Sequence, residues 1–522
     1  MRNTLRNIVT FFKAHPKLDW GVLLLGLAIF VTIALLNAPR ASIWFDEAFS
    51  AYLIQFNFWD IARYTASDVH PPVYYWILKV WSELFGTTDL ALRSLSIVFG
   101  AGVITTAFFL TRKLFGRLIA AVALLFLTVS PMLIRYSDEA RMYTLAALII
   151  FGATYVLVKA RETKSRKLWV LYGVLVSLGM WVHYFTALAW IAHWAWHATE
   201  VWRKGMGAKA FWKKFLSKEW LLSYGLAIAL YLPWLPFMAM QLGIVQGSGF
   251  WIGPVSVNTP ANYFSNVFYY LEHGQVQGWF ALALLVLLIL VAILLPRVYR
   301  ALSNPDKKSF LLISFMAWVP FVTLFLLSLP PVRPSYVERY LIPAIVAFAI
   351  FLAVVLVIGT RRWKPIFRAL PILLVVAMMI FGITNVFKYG NFNKNTNFHI
   401  FTREVVEMVH EKAKPGQPIV TETPWIFYEA APYATEEHPI YFLDASTDYF
   451  FGSLAMLKEN DMHKIKDLEA FKKDHPVIWY LGQNEHGSIP AFESTWVEKD
   501  SVGAYDEITG KTIYRATEYE VK

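Results

Sequence analysis

The sequence predicts a polytopic α-helical membrane protein with a small α/β domain at its C-terminal end. Three observations carry that prediction. Of 522 residues, 57% are hydrophobic and only 16% are charged, against about 45–50% apolar and about 25% charged in soluble globular chains. Apolar runs close to the twenty residues that span a bilayer recur along the first 390 positions. After Tyr389 the composition turns polar, and 391–522 holds no spanning run. Soluble enzymes, disordered scaffolds and nucleic-acid binders are excluded as whole-chain classes. The 48 Lys and Arg exceed the 37 Asp and Glu by 11, but basic membrane proteins keep such an excess in their cytoplasmic loops. With no cysteine, disulfides, thiolate metal sites and thiol nucleophiles are excluded.

The N-terminal stretch MRNTLRNIVTFFKAHPK is basic, and an apolar run over 20–38 follows without a small-residue cleavage site. It reads as a retained signal anchor. Further runs lie at about 89–111, 118–134, 142–158, 167–182, 184–199, 220–240, 278–296, 309–329, 340–360 and 366–386. The segment 71–85, PPVYYWILKVWSELF, contains Lys79 and Glu83 and opens on two prolines. If it does not cross, the basic loops 112–117, 159–167, 203–218, 297–308 and 361–364 share one side, while 241–278, without Lys or Arg, takes the other. That arrangement obeys the positive-inside rule. The expectation is eleven crossings in a cell (plasma or inner) membrane, a cytoplasmic N-terminus, an extracytoplasmic C-terminal domain, and 71–85 along the outer interface.

The chain therefore divides into a membrane domain over 1–390 and an α/β domain over 391–522. In the latter, 401–413 and 464–473 have helical spacing, while PIVTE (418–422), PIYFLD (439–444), VIWYLG (477–482) and KTIYRATEY (511–519) read as strands. It holds no phosphate-binding, zinc-protease or nucleophile-elbow motif, which favours a lid or accessory-binding role.

Polar groups near hydrocarbon are expensive and therefore informative. They concentrate in four predicted outer segments: Trp44-Phe45-Asp46-Glu47 and Asp68 to Tyr75, which includes His70 and Tyr74; Arg135 to Tyr143, with Asp138, Glu139 and Arg141; the turn Trp181-Val182-His183-Tyr184; and Arg333 to Tyr340, ending in Glu338-Arg339-Tyr340. By spacing alone, Asp46 and Glu47 are either a helix start with a solvated neighbour or a general base or metal ligand. The second segment is either a set of interfacial ion pairs or an arginine site for phosphate. His70 before Pro71 either ends an extended stretch or binds substrate. His193 and His197, four apart, have no third ligand and read as packing residues.

As an ordered set, W-F-D-E, H-P-P-x-Y-Y, A-L-R-S-L-S, Y-S-x-E-A-R-M-Y, W-x-H-Y-F and E-R-Y-L-I-P resemble the bacterial glycosyltransferase family 39 group. This group has the GT-C fold, shared with protein O-mannosyltransferases and the lipid A aminoarabinose transferase. The resemblance spans roughly 20–360. It implies an enzyme that takes a sugar from a polyprenyl-phosphate carrier at the outer face and transfers it, with inversion, to a hydroxyl of a lipid, glycan or protein acceptor. Asp46 matches the aspartate that acts as catalytic base. Glu47 matches an acidic companion that positions substrate or, in some relatives, a divalent cation, Mg or Mn. Arg141 and Arg339 match arginines that face the lipid phosphate. His70 stands where the aminoarabinose branch has lysine, so a phosphate contact there depends on its protonation. The resemblance implies no role for 391–522. A transporter or flippase for a lipid-linked saccharide is the competing reading, but such proteins often carry internal repeats, and none is evident.

Overall fold

The computed structural model describes residues 17–246, 252–271, 278–390, 392–393, 398–443, 456–457, 461–483, 495–507 and 509–521. The basic N-terminal stretch up to residue 16, and parts of 241–278, lie outside them. The chain packs as two compact units: Met1–Leu36 with Ser94–Phe387, and Asn37–Arg93 with Lys388–Lys522. The division expected at 390 is close to the second boundary. However, it assigns 37–93 to the membrane domain, whereas these residues pack with the C-terminal region. Reading the chain in sequential blocks could not reveal this, because it depends on long-range packing.

The first unit is helical. Among the described residues, eight helices are long and apolar enough to cross a membrane, or nine if a bent pair is one span. The protein is a multi-pass membrane protein. The bent pair, Arg117–Thr128 and Pro131–Ser137, kinks by 57° where the sequence reads Ser130-Pro131. Proline removes a backbone donor and disfavours a helical conformation for the residue before it, and Ser130 caps the second piece by accepting from the Leu133 N–H. The spans expected at 167–182 and 184–199 are helices of 17 and 15 residues, Arg166–Val182 and Ala187–Val201.

The helix Ile342–Gly359 is apolar on every face, which suits a central position. It packs against Asn304–Leu327, Arg117–Thr128, Gly278–Ala301 and Tyr143–Thr163. Small residues permit close approach elsewhere in this unit. A Cβ on Gly173 would lie 2.4 Å from the Ser223 carbonyl oxygen, and the Ser223 hydroxyl donates to the Trp169 carbonyl at 2.8 Å. His193 bonds Thr154 at 3.0 Å and Tyr172 at 2.9 Å, and His197 faces Arg161 and the Phe215 carbonyl. Both are hydrogen-bonded within helix packing.

In the second unit, the stretch 37–93 forms three short helices, Phe45–Leu53, Phe58–Ala66 and Val73–Phe85, and the C-terminal stretch forms a sheet with further helices. At 13 residues, Val73–Phe85 is about 20 Å long, too short to cross. It buries Tyr74, Tyr75 and Leu78 and exposes Val80, Leu84 and Phe85. The strands, in chain order, are β1 (Phe392–Asn393), β2 (Phe398–His399), β3 (Ile419–Thr421), β4 (Ile440–Leu443), β5 (Lys464–Ile465), β6 (Val477–Gly482), β7 (Trp496–Asp506) and β8 (Lys511–Val521). The last six form one sheet, ordered β5-β4-β3-β6-β8-β7. Its first four strands are parallel, and β6-β8-β7 are antiparallel. The four expected strands are present as β3, β4, β6 and β8, and 401–413 as the helix Thr402–Lys412. The expected helix over 464–473 is strand β5 followed by a shorter helix, Leu468–Asp474, because Asp467 caps the chain there by accepting from the Ala470 N–H. Strand β7 and the helix Pro424–Ala430 are additions.

Candidate functional site

In the second unit, Asp46 and Glu47 occupy the first turn of Phe45–Leu53, where a helix N-terminus favours negative charge. Asp46 is half-buried and Glu47 is 1% exposed. Glu47 forms a two-pronged ion pair with Arg93: Nε donates to Oε1 at 2.8 Å and Nη2 to Oε2 at 2.6 Å. The other Arg93 donors go to the carbonyls of Ala38, Ala41 and Ser42 at 2.5, 2.7 and 3.0 Å. Glu47 Oε2 also accepts from the Trp44 N–H at 3.4 Å. Arg93 thus ties the stretch that leads into the helix to the helix's own third residue. A buried arginine demands such partners, and Arg93, inside an apolar run, was the signal in A-L-R-S that sequence reasoning passed over.

A second buried glutamate lies on a helix packed against this one. Glu429, on Pro424–Ala430, is buried, and its carboxylate accepts from the Thr402 hydroxyl at 3.1 Å and the Tyr514 hydroxyl at 3.4 Å. Burial pushes its pKa up to about 7, with these hydrogen bonds opposing that rise. It too was missed, because PWIFYEAA reads as an apolar stretch. His70 pairs with Asp68, Nδ1 to Oδ2 at 3.0 Å. With Nδ1–H aimed at a carboxylate, Nε2 could donate to a phosphate only when the ring carries a second proton. Tyr74 is buried with its ring 5.7 Å from that of Tyr75.

In the helical unit, the structure gathers Tyr143, His183, Arg339 and Tyr340. Tyr143 begins the helix Tyr143–Thr163, and its ring lies 5.7 Å from His183 and 6.3 Å from Tyr340. The Arg339 guanidinium sits 5.6 Å over it. His183 is at the extended break after Arg166–Val182, 5.0 Å from the ring of Tyr340, which stacks on Phe185 at 4.3 Å. Tyr136 joins this group through Tyr143 at 5.6 Å. Next to it, Arg135 pairs with buried Glu139 at 2.9 Å and donates to the Tyr270 hydroxyl at 3.1 Å. Asp138 and Arg141 are buried on the same turn, whose backbone is held by the Arg141 N–H donating to the Glu139 carbonyl at 2.7 Å and by Ser96 on the Arg141 carbonyl. Tyr184 points elsewhere, to the Gln241 side chain and the Trp234 indole N–H.

Within the helical unit, Arg339 can hold an anion beside aromatic rings; within the second unit, Asp46 can present a carboxylate to a hydroxyl. A Mg or Mn ion at Asp46 and Glu47 would have to displace Arg93 from both Glu47 oxygens. Among the described residues no group of three or more His, Asp or Glu side chains is suited to a metal. The residues present do not fit a resident divalent cation at this helix.

Residues 69–237 match the family model for dolichyl-phosphate-mannose-protein mannosyltransferase. No curated protein matches the chain by sequence. The fold is similar to that of ArnT from Cupriavidus metallidurans, solved bound to undecaprenyl phosphate, at 13% identity over 96% of this chain and 98% of that one, with a TM-score of 0.59. The apo form of ArnT gives 14% identity over 95% and 98% of the two chains at the same score. The archaeal oligosaccharyltransferase AglB from Archaeoglobus fulgidus, solved with an inhibitory peptide and a dolichol-phosphate, gives 12% identity over 97% and 74%, with a TM-score of 0.52. The chain has the GT-C fold that its ordered motifs resemble.

Proposed function

We propose that the protein is a membrane glycosyltransferase that moves a sugar, of hexose or mannose type, from a polyprenyl-phosphate carrier to an acceptor hydroxyl with inversion. The observation that supports this most is the coincidence of a GT-C fold over nearly the whole chain with an acidic helix start directly after the first apolar helix. Undecaprenyl phosphate and dolichol-phosphate, bound in the two relatives by fold, are the class of carrier that this reading assigns to the donor.

Asp46 takes the acceptor proton as the hydroxyl oxygen attacks the anomeric carbon opposite the phosphate. One C–O bond forms while the bond to the phosphate oxygen breaks, so the configuration inverts and the electron pair leaves on the phosphate. Arg141 and Arg339 bind that phosphate, with His70 contributing when doubly protonated; Tyr143, His183 and Tyr340 line the Arg339 side, and Tyr74, Asp138 and Glu139 shape the substrate-binding surroundings. Preorganised charge of this kind is commonly the largest contribution to catalysis. Glu47 acts by holding the helix through Arg93, and no step uses a metal. The reaction is assigned to the outer face of the cell membrane, with the N-terminus cytoplasmic and 391–522 extracytoplasmic; the acceptor is a lipid, glycan or protein.

The test supplies purified protein with radiolabelled polyprenyl-phosphate sugars and membrane extract, and identifies the labelled product. Label joined covalently to an acceptor supports the proposal. Labelled carrier that crosses vesicles without transfer would instead identify a flippase.

A further inference from the structure

We propose that Tyr433 is a positioning residue for Asp46: from the C-terminal part of the chain, its hydroxyl fixes the backbone that enters the acidic helix. This rests on the reading of Asp46 as general base. Every residue concerned belongs to the second unit. The stretch 42–44 leads into Phe45–Leu53 without regular structure, and buried backbone groups outside helices and strands need partners of another kind. Ser42 and Ile43 are buried, and the side chains of Ile43 and Trp44 offer no acceptor. The Ile43 N–H donates instead to the Tyr433 hydroxyl at 3.1 Å. That hydroxyl donates in turn to Asp89, 3.0 Å from each carboxylate oxygen, and Asp89 accepts from Arg403 Nη1 at 2.8 Å. The Arg403 N–H donates to the Ser42 hydroxyl at 3.2 Å, which donates to Glu404 at 2.5 Å. Arg403 Nη2 closes the ring on Glu404 at 2.8 Å.

Two grips therefore meet on one short piece of backbone. Arg93 takes the carbonyls of Ala38, Ala41 and Ser42, whereas Tyr433 takes the N–H of Ile43. Asp89 already pairs with Arg403, so the distinct contribution of the Tyr433 hydroxyl is that N–H. The path from there to the base is short. Ile43 lies three residues before Asp46, and the Trp44 carbonyl between them accepts from the Ala48 N–H at 2.8 Å, within the first turn of the helix. The turn Ala431–Tyr433 itself packs against Phe45–Leu53, and the Phe45 ring lies 4.1 Å from that of Trp425. A reoriented Ile43 peptide would swing the helix start, and small displacements of a catalytic group reduce rate strongly.

Full-length Tyr433→Phe keeps the ring and removes only the hydroxyl. It is measured for kcat, donor KM, melting temperature and hydrogen exchange of the peptide over 42–50. The expected result is a kcat per folded molecule lowered about 5- to 20-fold, donor KM within about twofold, and faster exchange confined to that peptide. Unchanged kcat per folded molecule, whatever the melting temperature, would mark a merely structural residue and overturn the proposal. A rise in donor KM with kcat unchanged would place Tyr433 in donor binding and overturn it as well. If Tyr433→Phe does not accumulate, Ser42→Ala, which removes the hydroxyl held by Arg403 and Glu404, should lower kcat about two- to threefold, and unchanged kcat there would equally overturn it. Asp46→Asn run in parallel separates the two claims. Full turnover by Asp46→Asn removes the base reading itself, whereas its inactivity beside a fully active Tyr433→Phe removes only the positioning role.

Discussion

Two buried glutamates, one on the acidic helix and one on a helix packed against it, are treated by the chain in opposite ways. Glu47 lies against a guanidinium whose other donors all go to the carbonyls of Ala38, Ala41 and Ser42. Glu429 lies among the hydroxyls of Thr402 and Tyr514, with burial pushing its pKa up to about 7. A buried charge is tolerated when it is paired and hydrogen-bonded, so the first arrangement is a scaffold. The second is a place where the fold carries a charge it would rather neutralise. The difference separates a paired charge from one that burial disfavours.

Breaking the sealed pair should have the largest effect. Arg93→Ala leaves Glu47 buried without its partner, and removing one member of a buried pair costs about 3–5 kcal/mol. Loss of the folded protein in a detergent thermal-melt assay is expected; a melting temperature within a few degrees of the parent would show that Glu47 is not held as described.

The contrast sharpens with pH. The Glu429 value in the folded state is above its ordinary value of 4.5, so the fold prefers the protonated form. Its contribution is fully present below about 4.5 and is lost as pH rises through about 7. That rise corresponds to about 3 kcal/mol. Glu429→Gln, neutral throughout, should therefore be more stable than the parent at pH 8 by up to that amount, with the difference vanishing near pH 4. A pH-independent difference in denaturation midpoint would contradict the burial argument.

Smaller still are the changes expected at the cation side. A charge-assisted contact contributes about 1.5–3 kcal/mol, so Arg339→Gln or Arg141→Gln should raise the apparent donor KM roughly 10- to 150-fold while leaving the melting temperature near that of the parent. Unchanged donor dependence in both would remove them from the phosphate role.

Much of this architecture is legible in the chain. The apolar runs mark the helices of the first unit, although the run over 118–134 is broken at Ser130-Pro131, and PIVTE, PIYFLD, VIWYLG and KTIYRATEY mark four of the six main strands. Local pattern fails where distance matters. Strand β7 is polar and largely exposed along its middle, so it lacks an alternating apolar face. That 37–93 packs with 388–522 follows from side-chain pairings such as Asp89 with Arg403 and Tyr433. Among candidate site residues, Tyr143, His183, Arg339 and Tyr340 come together as their shared segments suggest, while Tyr184 turns to Gln241 and Trp234. Arg93 was readable in principle, since an arginine in an apolar run needs an acid. Glu429 was not, because its partners are hydroxyls from two separate elements.

The central claim is that Asp46 is the general base, and Asp46→Asn tests it most directly. Asparagine keeps the size of the side chain and begins a helix about as well as aspartate, but it cannot take a proton from a hydroxyl. Single-turnover transfer from a labelled polyprenyl-phosphate sugar, measured together with donor binding, should fall about 10²–10⁴-fold in rate while donor affinity stays within about threefold. Transfer at the parent rate by a folded Asp46→Asn protein would contradict the assignment and the mechanism that depends on it.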